Sequence, residues 1–236
     1  MKKKFGGPPR GCKRGTKEIR VLFEDDAVLA VDKPAGLAAV PVPGTEMPSA
    51  WAVVAKELRE RRQRCYVVHR IDRFTSGVML FAKTVRDRDA LVKQFLAHTP
   101  RREYVAVVRG EVEPGEGTLT HYFRRDGQHQ IETHAKDRKG TKAELQYALE
   151  RKLRGASVVR VRLVTGLQNQ IRVQFSAAGH PVVGDRKYHP EEANEKRIDR
   201  VALHAAKLAF QHPRTGEQVT VQCDVPGDIR RLIAAP

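Results

Sequence analysis

The sequence predicts an α+β fold built on a mixed, largely antiparallel sheet with flanking helices and loops. Three observations carry this expectation. Strand-like apolar runs follow one another directly, as at residues 143–149 and 157–164. Helical spacing is confined to scattered segments, so no regular strand–helix alternation of a doubly wound sheet is present. Neither GxxxxGK[ST] nor GxGxxG occurs, so the glycine-rich turns that seat nucleotide cofactors are missing and no cofactor is expected.

The elements follow in order. Val28–Val31 is a short β-like run stopped by Asp32-Lys33-Pro34-Ala35-Gly36. Ser49 is suited to cap a helix from about Ala50 to Arg64, with Trp51, Val54, Ala55 and Leu58 at helical spacing and a cationic end. Val78–Ala82 reads as a buried strand. Thr84-Val85-Arg86-Asp87 resembles a capping box opening a helix with Leu91, Val92, Phe95 and Leu96 on one side. Tyr104–Val108 is a strand, and residues 113–141 read as short strands and loops. The runs at 143–149 and 157–164 join through Arg154-Gly155. Gln170–Ala178 is a helix ended by Gly179. Leu203–Phe210 and Gln218–Val225 form a closing hairpin turning at residues 213–216, and Asp228–Ala234 is a last short helix.

Charge points to the partner. Of 236 residues, 44 are Lys or Arg and 28 Asp or Glu, a net +16. A protein this basic is expected to work beside a polyanion. Residues 1–20 hold eight Lys/Arg and one Glu, and are expected to form a basic, disordered tail ahead of one catalytic domain over residues 21–236. The tail is either a flexible grip on phosphates or a solvated aid to solubility. An organelle transit peptide fits poorly, because the segment is Lys/Gly/Pro-rich and lacks Ser. No stretch of 18 residues is free of charge, so no membrane span is expected. Cys12, Cys65 and Cys223 are odd in number and far apart, which suits reduced thiols in a cytoplasm. The histidines show no HExxH or HxH spacing, and no metal site is expected.

The densest polar cluster is His69-Arg70-Ile71-Asp72-Arg73-Phe74-Thr75-Ser76-Gly77, between Val67-Val68 and the strand 78–82. A carboxylate between two arginines stays ionised. Such an Asp72 suits a nucleophile, a general base or a metal ligand, or else a salt-bridged loop residue.

The same residues carry a resemblance. HRIDRFTSGVMLFAKT at 69–84 resembles the HRLDxxTSGLLLFAK signature of the RluA-type pseudouridine synthases, which modify large-subunit ribosomal RNA and some transfer RNAs. Three further stretches agree in the same order. They are the acidic turn, strand and KPAGL turn of residues 23–37, the Thr165-Gly166 … Asn169–Gln174 … Gly179–Asp185 … Tyr188 block, and Leu203-His204-Ala205 with the 212–216 turn.

The resemblance implies a fold, a cofactor-free isomerisation of uridine in RNA, and roles for single residues. Asp72 corresponds to the catalytic Asp, Arg172 to an active-site Arg that pairs with it, and Tyr104 to a tyrosine that stacks on the target base. Arg70 corresponds to the residue that fills the space left by the flipped base. His69, Arg73 and Thr75 of the same loop are expected at the RNA, with Lys33 touching it at most from its turn. His180 and Asp185 are expected to set their loop. Leu167 stands where the family has Arg, Asn169 and Gln174 where it has His, and Leu145 where it has Thr.

Only about 20 residues precede the first motif, so no separate RNA-binding domain is expected ahead of it, and the enzyme is expected as a monomer on a ribosomal or transfer RNA stem-loop. A non-catalytic RNA-binding or ribosome-assembly protein of the same fold is the first rival. A metal-dependent nuclease using Asp72, Asp185 and a histidine is the second.

Overall fold

In the computed structural model, residues 19–127 and 129–234 are described, and they fall into two compact units. The first comprises 19–101 with 205–224, the second 102–204 with 225–234.

The first unit is a sheet covered on both faces. Its strands are β1 (Arg20–Glu24), β2 (Val28–Lys33), β3 (Tyr66–Val67), β4 (Ser76–Ala82), β10 (Leu203–Gln211, in this unit from Ala205) and β11 (Gln218–Gln222). β2 is antiparallel to β1 and β4, β3 to β4, and β11 to β10, while β10 lies beside β4. Successive strand residues point to opposite faces. Leu29, Val31, Met79 and Phe81 therefore pack with Val54 and Leu58 of helix α1 (Ala50–Glu60). Val28, Ala30, Val78, Leu80 and Ala82 pack with Leu91, Leu208, Phe210 and Val221 on the other face. Two-sided burial is why these strands read as unbroken apolar runs rather than alternating ones.

Both long helices of this unit start as their sequences predict. The Ser49 hydroxyl accepts from the Ala52 N–H, and the Thr84 hydroxyl accepts from the Asp87 N–H at the head of α2 (Val85–Leu96). Asp87 also receives Arg214 at 2.7 Å, which pulls its carboxyl below the ordinary range. α1 ends four residues before the expected Arg64, because Arg62 turns left-handed (φ 58°) and the Arg62 and Gln63 N–H groups close back on Arg59 and Leu58. Leu96, expected on the apolar side of α2, is 74% exposed. Cys65 and Cys223 are buried, which pushes the Cys65 thiol up to about 12 and Cys223 higher still, so both are inert.

The second unit is an antiparallel sheet in the order β5-β9-β8-β6-β7, with β5 (Arg101–Arg109, in this unit from Arg102), β6 (Glu116–Asp126), β7 (His129–Thr133), β8 (Thr141–Leu153) and β9 (Ala156–Leu163). The segment expected as short strands and loops is an 11-residue strand and its hairpin partner. Its alternation (Leu119, His121, Phe123 against polar neighbours) is blurred by histidine and arginine, and only Phe123 is fully buried. Helix α3 (Gln170–Ala177) buries its first six residues, and α4 (Gly227–Ala234) seats Ile229 and Leu232.

A charge cluster closes one end of this unit. Arg109 donates to Glu192 and Glu195, the latter at 2.7 Å, and Arg197 donates to Glu195 at 2.7 Å. The Arg197 guanidinium beside it, aided by the Arg197 N–H and by Arg109, holds Glu195 at about 2 against an ordinary 4.5. A carboxyl depressed in the folded state stabilises fully above its unfolded value and loses that contribution as pH falls through the folded one. The melting temperature of the wild type should fall more steeply than that of Glu195→Gln between about pH 4.5 and 2. Parallel slopes in differential scanning calorimetry would overturn this.

One sequence boundary shifts. Arg20, counted with the tail by its charge, opens β1 and faces Asp32 at 3.3 Å. Ile19 is buried in the core beside it, and the rest of the expected tail, residues 1–18 with Cys12, lies outside the described residues.

Candidate active site

The Asp72 loop is mounted on the first unit from three sides. Ile71 is buried beside Asp72 and anchors the loop inward. The half-buried His69 accepts the Leu80 N–H at its Nε2 (3.0 Å) and stacks on Phe95 with centroids 4.5 Å apart. Thr75 donates its N–H to the Asp72 carbonyl at 3.1 Å, closing the turn that holds Asp72.

The third side is the KPAGL turn. Lys33 is 0% exposed, and its Nζ donates to the carbonyls of Pro34 (3.0 Å), Leu37 (2.8 Å) and Arg73 (3.1 Å). The Gly36 N–H donates to the Arg73 carbonyl and the Arg73 Nε to the Gly36 carbonyl, so turn and loop are zipped together. The expected RNA contact of Lys33 is thus corrected. A fully buried ammonium that donates to three carbonyls fastens the turn to the loop. Thr75 is corrected in the same way, being 2% exposed with its side-chain oxygen buried and unpartnered among the described residues.

Gly77, next in the motif, could be nothing else. Its φ is +118°, and a Cβ there would lie 2.2 Å from the Ala205 carbonyl oxygen of β10. The TSG and LHA motifs meet at that point.

What the loop presents outward is cationic and aromatic. Arg70 and Arg73 are exposed, Phe74 is 43% exposed, and the Arg73 guanidinium lies 5.2 Å from the Phe74 ring centroid. Phe74 is hidden in the sequence, where an aromatic in an apolar-flanked loop reads as core. Such a pairing suits phosphate and base contacts.

Arg172 and Tyr104 belong to the second unit. Tyr104 lies in β5 opposite Val161 and is 8% exposed. Arg172 is held in a cage. Its Nε and Nη2 donate to the two carboxylate oxygens of Asp185 at 2.7 and 2.6 Å, and its Nη1 donates to the Asn169 side chain at 3.2 Å. Its guanidinium carbon lies 5.2 Å from the Tyr188 ring centroid, and the Tyr188 hydroxyl accepts from Asn169 at 2.9 Å. A two-pronged arginine–carboxylate pair fixes both distance and plane. Asp185 also accepts the N–H groups of Lys187 and Tyr188, so it sets its loop, as expected, and orients Arg172 as well. That second role does not show in the sequence, because the spacing of the block does not say which side chain faces which.

The departures from the family pattern have local reasons. Gln174 donates to the carbonyls of Leu119 and Ala143, and Gln170 bridges Glu144, Gln174 and Thr165. These two glutamines pin α3 to β6 and β8 with every amide group used. Leu167 packs with Phe123, Ala143, Val173 and Tyr188, where an arginine would bring charge into an apolar cluster. Asn169 takes the left-handed conformation (φ 57°) that the turn into α3 requires.

A mixed, mostly antiparallel sheet, an aspartate flanked by exposed cations and, in the second unit, a buried arginine are features that suit a base-modifying enzyme working on nucleic acid. The sequence profile of the RNA pseudouridylate synthases matches residues 27–177. Ribosomal large subunit pseudouridine synthase D of Xanthomonas campestris is 37% identical over 232 residues, covering 92% of this chain and 69% of that one. The dual-specificity RNA pseudouridine synthase RluA of Vibrio cholerae is 36% identical over 209 residues, covering 87% and 83%. Human RNA pseudouridylate synthase domain containing 4 shares the fold, with a TM-score of 0.74 over 91% of each chain at 19% identity. The chain belongs to the RNA pseudouridylate synthase family, and its activity is the isomerisation of uridine in RNA.

Proposed function

We propose that Asp72 is the catalytic carboxylate of this isomerisation, with Arg172 as its ion-pair partner, Tyr104 against the uracil face and Arg70 in the space that the flipped base vacates. The reaction breaks the N-glycosidic bond, turns the uracil and joins its C5 to the ribose. No net redox change occurs, and neither cofactor nor energy source is required. The base must leave its stack first, which single-stranded loops allow at least cost. An anionic Asp72 then serves by adding to sugar or base, or by taking a ribose proton.

The observation that supports this reading is the mounting of Asp72. Lys33, His69 and the Thr75 N–H fix the loop backbone from three sides while Arg70 and Arg73 stay exposed beside it. The substrate is a stem-loop of ribosomal or transfer RNA, bound by a monomer in the cytoplasm. Relatives named for large-subunit ribosomal RNA, and one named for dual specificity, support that range.

The test is incubation of the purified chain with total cellular RNA, with and without EDTA, followed by pseudouridine mapping. Discrete new pseudouridines, the same in both arms, are expected. Binding without modification would favour the assembly-protein rival, and EDTA-sensitive cleavage the nuclease.

A further inference from the structure

We infer that the cavity beside the C-terminal end of α1 is a second RNA-binding site, which holds one nucleotide of the substrate away from the reacting uridine. The cavity measures about 450 Å³ and is lined by Trp51, Ala55, Arg59, Arg62, Arg64 and Tyr66, with Gln63 and Cys65. It lies wholly within the first unit. Pockets that seat a small ligand start at about 300 Å³.

The chemistry of the lining is that of a phosphorylated, flat ligand. Three arginines converge on the cavity, and no acidic residue lines it. Neighbouring Arg61 is neutralised by Glu24 at 2.7 Å, but no ion pair joins Arg59, Arg62 or Arg64 to a carboxylate among the described residues. Arg59, Arg62 and Arg64 are exposed, Arg64 in hydrogen-bond contact with the Tyr66 side chain, and their planar forks match phosphate oxygens.

Two aromatic walls complete the site. The Trp51 Nε1 donates to the Cys65 carbonyl at 3.0 Å, which fixes the indole plane. The Tyr66 ring lines the cavity, and the Arg88 guanidinium carbon, outside the lining, lies over the ring at 5.7 Å from its centroid. A base stacks on such faces whatever its identity. The side-chain oxygen of Gln63 is buried without a donor among the described residues, and a base amino group or a ribose hydroxyl would supply one. Arg62 occupies the left-handed turn position where glycine is the usual residue, so the chain bears backbone strain to keep an arginine there.

The location separates this pocket from the catalytic loop. Tyr66 pairs with Ala82 at the far end of β4, whereas the Asp72 loop enters β4 at Ser76. Six residue steps of strand span about 20 Å, too far for the flipped base itself. The pocket therefore grips RNA outside the target position, adding affinity and register but no chemistry.

The inference rests on RNA being the substrate, and its test uses no uridine, so its outcome is independent of whether isomerisation occurs. Trp51 is the sole tryptophan of the chain, and its fluorescence reports this pocket alone. Oligoadenylate added to the full-length protein should quench it. Arg59→Glu/Arg62→Glu/Arg64→Glu should weaken that binding by at least about tenfold, and the neutral Arg59→Gln/Arg62→Gln/Arg64→Gln should do so with less electrostatic disturbance of the fold, checked by thermal melting. The slope of log affinity on log salt should become shallower by about 0.7 for each phosphate that the variant no longer neutralises. Undiminished quenching in both folded variants overturns the inference. An equal weakening in Lys136→Glu/Arg138→Glu/Lys139→Glu, which removes as much charge elsewhere, also overturns it. Adenosine monophosphate binding as tightly as the oligonucleotide would make this a small-anion site and reject RNA.

Discussion

Asp72→Asn is expected to lower pseudouridine formation by about three orders of magnitude or more, a loss of the size seen when a reacting carboxylate or nucleophile is removed. The amide keeps the shape of the side chain and removes its charge and its capacity to add or to take a proton. The fold should hardly notice. Asp72 is only half-buried, and groups other than its carboxylate help to fix its loop: the Lys33 ammonium on the Arg73 carbonyl, the Leu80 N–H on His69, and the backbone carbonyl of residue 72 itself, which Asn retains. RNA binding should also persist, because Arg70, Arg73 and Phe74 remain in place. The measurement is single-turnover conversion on a substrate found by mapping, with RNA affinity and melting temperature read on the same preparation. Residual activity above about a tenth of wild type would remove Asp72 from the chemistry, and joint loss of activity, binding and stability would make it a structural residue.

What could be read from the sequence follows a physical division. The starts of α1 and α2 were legible because a cap is a local device: Ser49 and Thr84 meet N–H groups three residues away. β2 was legible as a short β-like run and β4 as a buried strand because burial on both faces removes polar alternation. The length of β6 was not, because its inward residues include His121, and the signal there is pairing to β8 rather than composition. The end of α1 does not show in the sequence, because an arginine takes the left-handed position where glycine would mark a stop.

The candidate site divides the same way. Asp72 stood out by local charge, and the resemblance supplied roles that no single segment carries. The sequence places Lys33 in its turn but does not show that it also fastens the turn to the Asp72 loop, since one of its three carbonyl partners lies 40 residues away. Asp185 was hidden for the converse reason. Its partner lies 13 residues earlier, on a helix whose first six residues are all buried. Periodicity cannot say which side of such a helix matters, because every side is inside.

Asp185→Ala should accordingly be among the most damaging single changes in the second unit. The pair is dry, with side chains 7% and 1% exposed for Arg172 and Asp185. Removing the carboxylate leaves a buried guanidinium supported by the Asn169 amide oxygen and the face of the Tyr188 ring. Breaking a buried pair in this way costs about 3–5 kcal/mol. In a chain of this size that lowers the melting temperature by roughly 6–20 °C. The Lys187 and Tyr188 N–H groups lose their acceptor as well, so the loop after Gly184 loosens. Stability alone would not distinguish a framework pair from one that serves Asp72, and a compensated variant does. Arg172→Met combined with Asp185→Leu removes both charges and replaces them with apolar volume, an exchange that is often neutral for buried pairs. The double variant should regain most of the lost melting temperature while remaining inactive on RNA that wild type modifies, because the proposed ion-pair partner of Asp72 is gone. Recovery of activity along with stability would confine Arg172 and Asp185 to the framework of the second unit and leave Asp72 without that partner.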